Sequence, residues 1–425
     1  MFSTSVKLIQ HSPLLHFQWE QDGLLRMTEL RPKLNRFIVN ELQVVDPDRY
    51  DEYKDIINQH FKPSPNENGY LAPYKLWVTG KEDKKYFYNT VISQKKIQDI
   101  ENNTDLKAIG NVAYFADSQY IEKIINNHTP NGLPIKLGIM YNDICIHISS
   151  WYKKLNDLLL LSLEYIFVLE NFGSRQSKAF GSFTVENMTE NKFIEILKKR
   201  PTNLAIYQET SKLNDYNKTL EKINDDYQLL KSGRSSRARL GYAKSILWEY
   251  FCEKHNIRWE KRELKVTLKN NHPDIWGMIN PGTHPVLECT KDAIYNHMYI
   301  RALLGLAENN EYLTNNHNDK VVINISDASN DNVVNRFKSP IMFKIFKKQI
   351  YMIGGQIPEN LYLNDKRPRM FDFSVSTNGS RRIERNILSL QIPSNFDLIN
   401  FLDCATAQAG AKPILSGNIK NYKKK

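Results

Sequence analysis

The stretch Asn171 to Val185, NFGSRQSKAFGSFTV, carries residue types suited to holding an anion. Gly173 and Gly181 bracket it, and glycine takes a left-handed φ without steric cost. A loop with glycine at both ends can turn several backbone N–H groups toward one point. With Arg175 and Lys178 beside them, that point suits a phosphate. A plain helix-to-strand turn with solvated basic residues is the alternative that short glycine motifs leave open. A second basic group lies upstream, where Lys33 and Arg36 are three apart and so neighbours on one helix face, with Arg26 just before them. Three cations at a helix start suit RNA phosphates, or else are scattered surface charges. Lys231, Arg234, Arg237 and Arg239 sit in KSGRSSRAR without a large apolar residue to anchor them, so the segment either folds on a partner or is an ordinary basic loop. His11 and His16, and separately Asp274, Glu288 and Lys291, are the types used for proton transfer and for metal-assisted hydrolysis.

These residues need elements to position them. A strand is expected at Val6 to Gln10, then a loop from His11 to Gly23, then a helix announced by Pro32 near its N1 position. Leu34, Phe37, Ile38 and Leu42 make its apolar stripe. Further expectations are a helix at Asp48 to Phe61, strands at Tyr74 to Thr79, Tyr86 to Ser93 and Asn111 to Ala116, a helix capped by Ser118, and two strands around Asn142-Asp143. Tyr152 to Glu170 is more than half apolar and reads as a buried helix, with Gly173 at its C′ position and a short strand, Ser182 to Glu186, beyond the loop. In the second half, strands are expected at Glu263 to Leu268, Lys320 to Ser326 and Lys338 to Ile353, and helices at Gly241 to His255, Ala293 to Leu306 and Ser394 to Asp403.

The loop resembles the glycine-rich loop of the RAMP superfamily of CRISPR-associated proteins, roughly G-x-R-x-(R/K)-(R/K)-G-(F/L)-G-S, which lies between a helix and a final strand. Gly173, Arg175, Lys178, Phe180, Gly181 and Ser182 match, and Ala179 stands where the family usually has a further glycine. Near the N-terminus, Ser12, Pro13, Leu14, Leu25, Arg26, Lys33 and Arg36 are similar to the opening of the RAMP subunit that caps type III-B (Cmr) effector complexes, without the glycine that follows the lysine there. RFKSPIMFKI, Arg336 to Ile345, extends the likeness weakly into the second half. The resemblance implies an α+β fold, a ferredoxin-like (RRM-like) βαββαβ unit with large insertions, followed by a second α+β domain for which another ferredoxin-like unit is one expectation. It implies an RNA-binding subunit that holds guide or target RNA by its backbone without catalysis and without a cofactor, among other CRISPR effector subunits. RAMP relatives that process guide RNA use a histidine as general acid or base, which is the role His11 or His16 would take. Asp274, Glu288 and Lys291 are similar to a PD-(D/E)xK nuclease set, but Lys291 follows Glu288 by three residues where one strand face needs two. An endoribonuclease or such a metal-dependent nuclease is therefore the alternative, and a protein-interaction subunit with solvated basic loops is a third.

With 425 residues the chain is long enough for two or three domains. The expected division is 1–200, a polar basic linker 201–240, a second domain 241–410 and a basic disordered tail 411–425. Lys and Arg number 58 against 47 Asp and Glu, a net charge of +11 that favours a polyanionic partner or serves solubility alone. Cys145, Cys252, Cys289 and Cys404 form no C-x-x-C pair, so a reducing cytoplasm is expected. The longest apolar run, Leu158 to Leu169, contains Glu164 and is too short to span a bilayer, so no membrane partner is expected.

Overall fold

A computed structural model of the chain describes residues 1–16, 23–64, 69–90, 133–209, 215–234, 242–279, 296–306, 309–313, 320–329, 333–334, 337–363, 365–378, 384–407 and 419–423. It is a mixed α+β structure with several antiparallel sheets. One compact unit comprises Met1–Ile223, Met342–Ile353 and Gly417–Lys425, and the other comprises Asn224–Ile341 and Gly354–Ser416. The units interleave along the chain, whereas the sequence reading divided it serially at 200 and 241. The strand at Asn111 to Ala116 and the helix capped by Ser118 lie outside the described residues.

The first unit opens with β1 (Phe2–Gln10), α1 (Met27–Arg36), which continues through a π turn at Phe37–Glu41, and α2 (Pro47–His60). It goes on with β2 (Tyr74–Thr90), β3 (Leu133–Ser150), α3 (Lys153–Leu169), β4 (Phe183–Val185), α4 (Glu190–Lys199) and β5 (Ala205–Glu209). The first sheet runs β2-β3-β1-β4 with antiparallel pairing. Residues alternate across it: Leu8 and Gln10 are buried, while Ser3, Ser5, Lys7 and Ile9 face outward. The inner face meets the stripe Leu34, Phe37, Ile38 and Leu42 and the α3 residues Leu155, Leu158, Leu159 and Leu163, all within 1% of fully buried. Burial of each such side chain stabilises by about 1.5–3 kcal/mol.

Local signals misplaced three features here. Pro32 sits inside α1, which begins at Met27, so it does not mark the helix start. The two strands expected around Asn142-Asp143 are the single strand β3: Asp143 takes φ 52° and, with Ile144, stands opposite Gly80 alone between the pairs Thr79–Cys145 and Lys81–Asn142, a bulge through which the strand continues. The helix α3 ends at Leu169 with Glu170 extended, so Gly173 is not its C′ residue.

The remaining elements are α5 (Tyr216–Lys231), α6 (Ile246–His255), α7 (Glu260–Asn271), β6 (Asn309–Leu313), β7 (Lys320–Asp327), β8 (Ile341–Phe346), β9 (Gln349–Gly354), β10 (Met370–Asn378), β11 (Glu384–Gln391), α8 (Leu398–Thr406) and β12 (Ile419–Lys423). The first unit's second sheet runs β8-β9-β5-β12. Lys338 to Ile353, read as one strand, holds a hairpin whose two turn residues, Lys347 and Lys348, take φ 47° and 67°, the type I′ geometry that suits strand twist. The tail expected to be disordered supplies β12, antiparallel to β5. The stretch expected to be a linker supplies β5 and α5: every residue of β5 is buried, and Leu220, Ile223 and Leu230 are buried along α5. Its many polar residues had masked that spacing.

In the second unit β6-β7-β10-β11 is an antiparallel sheet in chain order. Glu263 to Leu268, expected as a strand, belongs to the helix α7. Leu264, Val266 and Leu268 read as period two, but Leu264 and Leu268 are both fully buried at helical spacing. Among the described residues no helix is long and apolar enough to cross a membrane.

Candidate nucleic-acid interface

Four residues of the loop after α3 hold left-handed backbone: Gly173 (φ 79°), Arg175 (55°), Ala179 (66°) and Gly181 (63°). The reason at the glycines is close approach. A Cβ on Gly173 would lie 2.5 Å from the Leu15 carbonyl oxygen, and one on Gly181 would lie 1.9 Å from that of Phe172. Phe172 donates its N–H to the Gly181 carbonyl at 3.0 Å, so the loop closes on itself.

Two other segments grip it. Along 11–15, His11 N donates to Ser182 O at 2.8 Å, Gly181 N to Pro13 O at 2.9 Å and Ser174 N to Leu15 O at 2.6 Å. Ser12 Oγ donates to Ala179 O at 2.5 Å and accepts from Ser182 N at 2.9 Å. On the other side is β8. Phe343 N donates to Ser177 O at 2.9 Å, Asn171 Nδ2 donates to Phe343 O at 2.8 Å, and Ser182 Oγ donates to Ile345 O at 2.7 Å. The fully buried Lys344 donates to Glu170 O at 2.8 Å and Asn171 Oδ1 at 3.0 Å. The glycine loop, the Ser-Pro-Leu opening and Phe343 to Ile345, distant in sequence, thus meet at one place.

The N–H of Gly173 already holds an anion, and it is internal. Glu29 accepts from Gly173 N at 2.9 Å, from Lys33 Nζ at 2.9 Å and from Gln176 Nε2 at 2.8 Å. Lys33 also donates to Asn171 O at 2.9 Å and Gln176 Oε1 at 3.0 Å, which directs all three of its N–H bonds into the protein. Lys33, read as a phosphate contact, is therefore an anchor of the loop. Gly173 and Gly181 likewise serve the loop's own geometry. Glu29→Ala is expected to lower stability by about 1–3 kcal/mol, because it strands the partly buried Lys33 and one backbone N–H. Urea unfolding measures that loss, and faster amide exchange at Gly173 and Ser174 would place it at the loop; unchanged exchange there would show that Glu29 does not hold the loop.

The loop's own cations are differently placed. Arg175 lies over the Phe180 ring at 5.9 Å, and Lys178 is mostly enclosed. Burial first, and then the nearby Arg175 charge, push the Lys178 ammonium down to about 8. Arg26 is the residue before α1, and Arg36 is exposed in its last turn. Arg234 pairs through its backbone with Ala243, while Arg237 and Arg239 lie outside the described residues.

Neither candidate for chemistry is assembled. His11 is buried, with Nε2 against Thr184 Oγ1 at 2.8 Å and Nδ1 accepting from Lys347 N at 3.4 Å. Burial first, then Lys344 and Lys347, push its pKa down to about 3. His16 donates from Nε2 to the carbonyls of Gly23 and Leu24 at 2.8 and 3.1 Å, and burial lowers its pKa. Asp274 forms an exposed ion pair with Arg385 at 3.1 Å; Glu288 and Lys291 lie outside the described residues. Among the described residues no three His, Cys, Asp or Glu side chains cluster to hold a metal. Reading the sequence missed Glu29 and Lys344. The available signals were Glu29 one helical turn before Lys33, and a lone lysine inside the apolar run IMFKIF, where a charge must find partners.

Two family models account for nearly the whole chain: the Cmr1 N-terminal domain over residues 1–234 and the Cmr1 C-terminal domain over residues 242–424. Among solved structures the chain is similar to Cmr1 from Pyrococcus furiosus in its apo form, at 11% identity over 100% of this chain and 99% of that one, with a TM-score of 0.37. It is also similar to a chain of the type III-B Cmr-beta complex bound to cognate target RNA, at 15% identity over 83% and 93% of the two chains, with a TM-score of 0.33. No curated protein matches it. By the two domain models, the chain belongs to the Cmr1 family.

Proposed function

We propose that the chain is a subunit of a type III-B CRISPR effector complex that holds guide or target RNA by its backbone and does no chemistry on it. The observation that carries this is the convergence of two distant segments on a rigid loop bearing Arg175 and Lys178, where burial first and then the nearby Arg175 charge lower the proton affinity of Lys178. A phosphate arriving there relieves the repulsion between the two cations. Arg26, Arg36 and the basic stretch holding Arg234, Arg237 and Arg239 supply further phosphate contacts. The burial of His11 and His16 in hydrogen bonds favours holding over cleavage. Membership of the Cmr1 family supports the place in the complex. The order β2-β3-β1-β4, with helices after β1 and β3, supports a ferredoxin-like unit, and the order β8-β9-β5-β12 supports a second one built from the strands at 205–209, 341–354 and 419–423.

Proton linkage tests the loop directly. Lys178 is largely charged at pH 7 and loses its proton through pH 8, and a bound phosphate raises its proton affinity. RNA binding then takes up a proton above that pH, so affinity falls as pH rises. The expected loss is about five- to tenfold between pH 7.5 and 9. Lys178→Arg should bind and lose most of that dependence. A wild-type affinity flat across this window would remove Lys178 from the site.

A further inference from the structure

We propose that the outward face of the first sheet stacks an unpaired base of single-stranded RNA on Trp77. From the preceding reading this takes only that the ligand is RNA, since the surface differs from the glycine loop. Trp77 on β2 lies opposite His147 on β3, which lies opposite Ser5 on β1, so the three form one row across the sheet. The indole and imidazole are stacked, with ring centroids 5.1 Å apart and planes 16° from parallel. The imidazole is held at both nitrogens, Nδ1 to Ser5 Oγ at 2.8 Å and Nε2 to Thr79 Oγ1 at 2.9 Å, so the ring behind the indole is fixed.

The same strand buries its alternate residues against the core: Tyr74 is buried, and Leu76 and Val78 pack on it. Trp77 faces the other way and stays 43% exposed. Its surroundings decide what covers it. Lys75 and Thr79 flank it on β2, Ser3, Ser5 and Lys7 lie on the same face of β1 with Ile9 four residues beyond the Trp77 row, and the Lys7 side chain is 69% exposed, with Glu186 at 3.9 Å. A protein interface surrounds its aromatic anchor with apolar residues and is depleted in lysine. A rigid, backed indole among hydroxyls and lysines instead matches base stacking with phosphates alongside, and a base stacks whatever its sequence.

The test uses the full chain and two labelled oligomers, a short oligouridylate and an abasic ribose-phosphate strand of the same length. Trp77→Ala should weaken oligouridylate binding by about 5- to 100-fold. It should leave the abasic strand within about twofold and the salt slope unchanged, because stacking neutralises no phosphate. Trp77→Phe should stay within about threefold of wild type. Wild-type chain irradiated with a 4-thiouridine oligomer should cross-link in the peptide holding Trp77, which needs no variant to fold. Trp77→Ala binding oligouridylate like wild type, equal losses on both strands, or cross-links only elsewhere would each overturn the proposal. Loss on Trp77→Ala with full binding by the Arg175 and Lys178 variants would keep this site and remove the loop as the RNA contact. The converse would keep the loop alone, and no binding of either oligomer would overturn both.

Discussion

Arg175→Glu with Lys178→Glu is expected to reduce RNA affinity by at least about 100-fold, since a hydrogen bond to a charged group contributes about 1.5–3 kcal/mol and two are lost. The wild-type affinity should fall with salt by about 0.7 log units per log unit for each single-strand phosphate neutralised, and the double variant's slope should be shallower by about 1.4. Fluorescence anisotropy across a salt series reads both quantities. The loop should persist, because its conformation rests on Glu29, Lys33, Asn171, Gln176, Ser12 and Ser182. Lys178 is mostly enclosed, so a carboxylate there carries its own desolvation cost. The neutral pair Arg175→Gln with Lys178→Gln separates that cost from the loss of contact and should show most of the affinity loss. Binding by either pair within about twofold of wild type, roughly 0.4 kcal/mol, would make the loop an ordinary turn.

The largest effect on stability is expected at Gly181. Its φ is 63°, and a Cβ there would lie 1.9 Å from the Phe172 carbonyl oxygen, 2.8 Å from its carbonyl carbon and 3.1 Å from its nitrogen. All three are backbone atoms of the same loop closure, so no side chain can swing aside. Gly181→Val adds a branched side chain to that overlap and should cost about 4 kcal/mol or more, among the largest losses a single substitution gives. Ala179 supplies the contrast. It already takes φ 66° where the RAMP pattern usually has glycine, so Ala179→Gly relieves about 1 kcal/mol of strain against the loss of one buried methyl. Thermal unfolding should show a steep fall for Gly181→Val and a shift of no more than a few degrees for Ala179→Gly. Equal midpoints for Gly181→Val and wild type would mean that the loop rearranges freely.

What was legible in the sequence was whatever short-range pattern controls. The stripe of α1, the buried run of α3 and the loop leading into β4 all depend on residues within two turns of one another. The loop residues Arg175, Lys178 and Gly181 could be named for the same reason. The role of Lys33 could not, because its partners lie at 171 and 176, far along the chain, as well as at Glu29. The alternation through Leu264, Val266 and Leu268 fits a strand as well as a helix over so short a span, and tertiary burial decided for the helix. The tail's lysines masked β12, whose place is set by the exposed side of β5 and by nothing in its own composition.

The order β8-β9-β5-β12 has a consequence for biosynthesis. The first sheet has its last strand once Val185 is made, whereas β5, synthesised next, waits for β9 and β12, which arrive at 349–354 and 419–423. At a translation rate of about 5–20 residues per second, that wait lasts on the order of ten seconds or more. Throughout it Ala205, Ile206 and Tyr207, each within 1% of full burial in the finished protein, belong to an apolar strand with both edges unpaired. Such an edge is a template for pairing with another chain. The nascent protein is thus most prone to aggregate after its N-terminal sheet is complete, and its last strand closes the exposed side.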